Sequence, residues 1–239
     1  MIGIQSRSYK ENDETANLIE GNEAAFNNWA HFAFHWQAAG IKLIGDGSIR
    51  DVVRRNYVHD NNSRAIWLDL GVTGAVLENN LFQHNGAGVV VEVSHKNTVR
   101  NNASVLNGLH SRAGGILGSQ IIAHSSDATE IYGNTVKVAG TYGQGISIWW
   151  QFRENNPQLV ARDNWVHHNM ISSPTGTKMM SISGFAKKAT EFYASYNNRI
   201  DFNIYQATAP AIPQLVRQGK GYTLEEYRQF GYEINGKVK

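Results

Sequence analysis

Hydrophobic and polar positions along the chain alternate in short bursts. The units Gly40-Ile-Lys-Leu-Ile44, Ala65-Ile-Trp-Leu-Asp69, Gly88-Val-Val-Val-Glu92, Gly115-Ile-Leu-Gly-Ser119, Gly145-Ile-Ser-Ile-Trp149 and Met179-Met-Ser-Ile-Ser183 share one plan. Their second position is Ile41, Ile66, Val89, Ile116, Ile146 or Met180, and their fourth is Leu43, Leu68, Val91, Gly118, Ile148 or Ile182. A period of two predicts strands whose second and fourth side chains point the same way, and a helical period does not fit.

Between these units runs a second series, in which a short apolar-containing stretch leads into an asparagine: Asn22, Asn56, Asn80, Asn102, Asn134, Asn164 and Asn203. The intervals are 34, 24, 22, 32, 30 and 39 residues. A floor near 22 with variable extensions describes coils of constant size that carry loops of different length. Another Asn recurs five residues on, at Asn61, Asn85, Asn107 and Asn169. Short strands with Gly or Asn at their corners leave no room for crossover helices. Winding the chain into a parallel coil buries the apolar face by stacking each aliphatic column on itself. An Asn at such a corner is expected to take a left-handed backbone and to pass amide hydrogen bonds from coil to coil.

These units, with Val99-Arg-Asn-Asn102 and Ser125-Ser-Asp-Ala-Thr-Glu-Ile-Tyr-Gly-Asn134 among them, resemble the right-handed parallel β-helix proteins of the pectate-lyase-like superfamily. The resemblance covers roughly residues 17 to 205. It implies an all-β solenoid, a right-handed parallel β-helix of about six to seven coils. The expected division is a β-helix over 1–205 and a C-terminal linker and short helix over 206–239, packed on the last coil. Thr223 reads as the N-cap of that helix in Tyr222-Thr-Leu-Glu-Glu-Tyr-Arg-Gln-Phe230. Met1-Ile-Gly-Ile-Gln5 reads as one more strand of the glycine type. The first coil is therefore expected to be incomplete, covered by a missing N-terminal part or by another copy in a homo-oligomer.

Composition narrows the function. The 239 residues include 24 Asn, 23 Gly, four Pro and no Cys, which removes disulfides, thiolate metal sites and cysteine nucleophiles. Twenty-two basic and 20 acidic residues leave a formal charge of +2, without the basic excess of a nucleic-acid partner. No apolar run is long enough to cross a membrane, and no charged start leads into an apolar stretch as in a secretory signal. No phosphate-binding glycine loop, dinucleotide motif or Gly-x-Ser-x-Gly elbow occurs, so no organic cofactor is expected.

Candidate chemistry lies on the outward positions of the glycine-type strands. Those columns read Lys42, Trp67, Val90, Leu117, Ser147 and Ile44, Asp69, Glu92, Ser119, Trp149. Asp69 and Glu92 fall on successive coils, ~5 Å apart. Such a pair splays into water, shares a proton, or holds a cation such as calcium. Trp67 and Trp149 offer aromatic faces to sugar rings. Lys42, His95, Lys96, Arg112 and Arg153 are candidates for the positive end of the site, and His95 is the candidate base. His31 and His35 have metal-ligand spacing, but the Glu of a zinc-protease helix is absent and a packing flap fits the aromatic stretch better.

The resemblance implies a carbohydrate-active protein at an extracellular or periplasmic location. The reading favoured is a lyase of an acidic, uronate-containing polysaccharide, with Asp69, Glu92 and His95 catalytic and Lys42, Trp67, Trp149 and Arg153 binding substrate. Its alternatives are a glycoside hydrolase using Asp69 and Glu92, with carboxyls about 5–5.5 Å apart in the retaining case, and a noncatalytic glycan-binding or structural module.

Overall fold

The computed structural model of the protein describes residues 2–8, 16–31, 34, 37–45, 50–108, 115–138, 143–174, 177–207 and 214–239. Arg112 and His35, named above, lie outside them. Among the described residues the strands form three sheets, of nine, seven and eight strands, and each coil gives one strand to each sheet in turn. Pairing within all three is parallel from coil to coil. Seven coils run from Ile2 to Ala207, and the strands Gln214–Arg217 and Lys237–Val238 begin an eighth. The sheets thus continue past residue 205 into the segment expected to be only linker and helix.

The first sheet holds the glycine-type strands, Ala39–Gly45, Arg64–Asp69, Ala87–Glu92, Ser119–His124, Gln144–Trp149 and Lys178–Ser183 among them. Its inward column is Ile41, Ile66, Val89, Ile121, Ile146 and Met180, all fully buried. Ile116 is not part of it. Gly115–Gly118 forms a 3-10 turn, and the strand of that coil starts at Ser119, five residues further on for the stacked position. The second sheet adds the inward column Val53, Leu77, Val99, Ile131, Val166 and Ile200, and the third adds Val58, Phe82, Ser104, Val136, Ile171 and Tyr205. These columns merge into one core running the length of the coil.

Between the second and third sheets stands a ladder of Asn22, Asn56, Asn80, Asn102, Asn134, Asn169 and Asn203. From Asn56 onward each rung joins three coils. Asn102 donates from Nδ2 to Leu77 O on the coil before (3.0 Å) and to Asn134 Oδ1 on the coil after (3.0 Å). Its own Oδ1 accepts from Asn80 N (3.0 Å) and Asn80 Nδ2 (2.9 Å). The ladder ends on a carboxylate, Glu233, which accepts from Asn203 and from Tyr205 Oη.

Two expectations about the asparagines are corrected. Asn164 belongs to a different column, bonding Asn198, while Asn169 takes the rung between Asn134 and Asn203. The left-handed residue is the one before the rung, not the rung itself: Arg55, Asn79, Asn101, Gly133, His168 and Phe202 all have φ between 52° and 63°. A left-handed corner turns the chain, and the next side chain then points inward where its amide meets the stacked amides. Only Gly133 among these avoids the Cβ cost of that backbone.

Among the described residues, two short α-helices sit outside the coil. Helix α1, Ala189–Ser195, covers Trp150 with Phe192 and has no counterpart in the sequence reading. Helix α2, Leu224–Arg228, starts as expected at Thr223, whose hydroxyl accepts from Glu226 N while the Glu226 carboxylate accepts from Thr223 N. It packs beside the antiparallel strand Lys220–Tyr222 that closes the first sheet. No helix among the described residues is long and apolar enough to cross a membrane.

Candidate functional site

The outer face of the first sheet carries a cavity of about 590 Å³. Arg7, Lys42, Arg64, Asp69, Glu92, His124 and Trp149 line it, from six successive strands of that sheet. Parallel register makes this possible: Leu68 pairs with Val91, so Asp69 and Glu92 follow as neighbours, and Glu92 pairs with His124, which pairs with Trp149. One column therefore presents acid, acid, imidazole and indole in order along the coil axis, ~4.8 Å per step.

Two ion pairs lie at the cavity. Lys42 Nζ lies 2.9 Å from Asp69 Oδ2, and Arg153 Nη2 donates to Glu92 Oε1 at 2.7 Å. Lys42 is only 2% exposed, and burial pulls its ammonium below the ordinary lysine range against the attraction of Asp69. Burial also pushes the Asp69 carboxyl up, with Lys42 opposing and Glu92 adding to the rise. Arg64, buried and pushed down to about 10 by desolvation, is still a cation at neutral pH. It reaches this face from the position just before the Ala65–Asp69 unit, and its Nη1 is fixed by Phe34 O at 2.6 Å.

His124 is buried at 3% exposure, and desolvation with the nearby Arg153 pushes it down to about 3. It is a neutral imidazole at pH 7. Its Nε2 lies 3.1 Å from Gln151 Oε1, and its ring stacks on Trp149 at 4.3 Å. Its Nδ1 has no hydrogen-bond partner, nor has Trp67 Nε1.

The expected residues divide. Lys42, Asp69, Glu92, Trp67 and Trp149 line the cavity, and Arg153 reaches it by holding Glu92. Trp67 does not offer a face to a ligand: it is 4% exposed, with Lys42 Nζ 3.3 Å from its ring centroid and the Arg64 guanidinium carbon at 3.9 Å. The open aromatic is Trp149, which is only half-buried. His95 is not in the cavity. Val93 takes a left-handed backbone after Glu92 and carries His95 round the corner, where its Nδ1 lies 2.6 Å from Asp127 Oδ1. Lys96 follows it round the same corner and does not line the cavity.

Asp69 and Glu92 are the pair expected to hold a calcium ion. Asp69 and Glu92 each already have a cationic side chain at hydrogen-bond distance, and among the described residues no group of three or more His, Asp or Glu gathers as a metal site.

Arg64 and His124 were missed for different reasons. Arg64 stands one residue outside the repeated unit. His124 was hidden by the Gly115-Ile-Leu-Gly turn, which imitates that unit and draws the register away from Ser119–His124.

A family model described as a right handed beta helix region matches residues 1–136. No curated protein and no solved structure matches the chain. Three parallel sheets wound on one core agree with that match, and the chain belongs to the right-handed β-helix family.

Proposed function

We propose that the protein is a carbohydrate-active enzyme, a lyase that cleaves an acidic, uronate-containing polysaccharide in the groove on the outer face of the first sheet. The observation that carries this reading is the convergence of three cations, Arg7, Lys42 and Arg64, on one cavity with two carboxylates, beside the half-open indole of Trp149. A uronate carboxylate placed against Arg64 and Lys42 loses its charge, which acidifies the proton on the adjacent ring carbon. Asp69, made more basic than an ordinary carboxylate by burial, takes that proton. The electron pair forms the ring double bond as the glycosidic C–O bond breaks, and the leaving oxygen takes a proton from solvent, to which Asp69 returns the one it removed. Glu92 and Arg153 hold each other beside His124 and fix that wall of the cavity.

A second reading, a glycoside hydrolase using Asp69 as acid and Glu92 as its partner, is favoured by the same rise in the Asp69 carboxyl, which suits an acid that must stay protonated. Incubation with uronate polymers and with neutral glycans separates the two. Unsaturated-product absorbance together with new reducing ends marks a lyase, and reducing ends alone mark a hydrolase. Neither signal on any polymer leaves binding only and removes both enzyme readings.

A further inference from the structure

On the far side of Trp149 the same sheet face carries a second hollow, of about 390 Å³. Gln144, Ser181, Ser183, Gln218 and Lys178 line it with Trp149, and it contains no carboxylate. Gln144 is 5% exposed, and its Oε1 has no hydrogen-bond partner. A buried amide oxygen without a donor is costly, and a ligand hydroxyl would satisfy it. Ser181 and Ser183 occupy the columns of Ser147 and Trp149 on the next coil, so hydroxyls and amide face the hollow together.

The two hollows share Trp149 as a wall and differ in charge. Four coil steps separate Arg64 from Lys178, ~19 Å along the axis at the strand spacing, a span of several linked pyranose rings. Amide and hydroxyl groups beside an indole are the partners of uncharged sugar hydroxyls and of a ring's C–H face.

We propose that the second hollow is a subsite for an uncharged sugar unit, so that the groove takes a heteropolymer in which neutral and acidic sugars occur in one chain. The inference rests on the reading of the first cavity as an acidic-sugar site only for the word heteropolymer. The subsite itself stands on Gln144, Ser183 and Trp149.

Titration calorimetry with four neutral hexasaccharides, of xylose, mannose, galactose and glucose, tests it on the wild type, Gln144→Met, Ser183→Ala and, as a control at an exposed position outside both hollows, Asn155→Ala. At least one hexasaccharide is expected to bind. Its affinity should fall ~10-fold in Gln144→Met, the size of one lost hydrogen bond, less in Ser183→Ala, and hold in Asn155→Ala. Failure of all four to bind the wild type, or binding indifferent to both Gln144→Met and Ser183→Ala, overturns the subsite. Neutral binding through Gln144 without cleavage of any uronate polymer keeps the subsite and removes the acidic reading. Cleavage of uronate polymers without neutral binding does the reverse.

Discussion

At the scale of single residues, the asparagine ladder ties the molecule together with bonds that no substitution by an apolar residue replaces. Asn102→Leu deprives the Asn80 backbone N–H and Nδ2 of their acceptor in a buried place. Two orphaned donors cost ~2–6 kcal/mol in all. Urea unfolding should show that loss, whereas Asn155→Ala, at an exposed position, should change stability by less than ~0.5 kcal/mol. His124 gives the pH counterpart. Its folded value, pushed down to about 3 from 6.5, means that the unfolded chain binds the proton first as pH falls. The stability it contributes is fully present above 6.5 and is lost as pH drops toward 3, by up to ~1.4 kcal/mol per unit. Glu92, Arg153 and Arg64 face it and set the local field. His124→Phe, which keeps a ring against Trp149, should flatten that limb of a melting-temperature profile. An unchanged slope between pH 6.5 and 4 would show that His124 is not buried as a neutral ring.

At the scale of elements, the strand of the fifth coil separates what pattern conveys from what it conceals. Alternation in Ala65–Asp69 and Gly88–Glu92 places Asp69 and Glu92 in one column, and parallel pairing bears that out. The same alternation misplaces the coil at Gly115, because a 3-10 turn of Gly-Ile-Leu-Gly has the composition of the repeat without its geometry. Only the sheet shows that Ile121, not Ile116, stacks between Val89 and Ile146. Ile121→Asp should abolish cooperative unfolding by circular dichroism, since it buries an unpaired charge in the core. Ile116→Asp, on the outer face beside Trp149, should fold. The opposite result would restore the register expected from the sequence alone. Asn164 went astray in the same way: an Asn of another column follows a similar stretch of sequence, and the rung partner decides. Side-chain pairing is likewise silent in the sequence. Lys42 and Arg153 were legible as cations of the outer face, but their capture of Asp69 and Glu92 depends on distances across coils. So does the cover that Lys42 and Arg64 place over Trp67.

At the scale of the whole molecule, one face of one sheet changes character along the coil axis. Charged, buried and paired groups gather over the early coils, an imidazole–indole stack stands in the middle, and hydroxyls and amides follow. A solenoid produces such a gradient because each coil adds one residue to each column, with the core columns unaffected by what the outer columns carry. Removal of free divalent ions by a chelator should leave cleavage unchanged, since Lys42 and Arg153 already neutralise the two carboxylates. The most direct test of the central claim is the rate of unsaturated-product formation from the uronate polymer that the wild type cleaves, measured with Asp69→Asn. The substitution keeps shape and one acceptor but removes the base. A fall of ~100-fold or more, with the melting transition retained, is the predicted result. A variant that forms unsaturated product at the wild-type rate would contradict the assignment of proton abstraction to Asp69, and with it the site on the outer face of the first sheet.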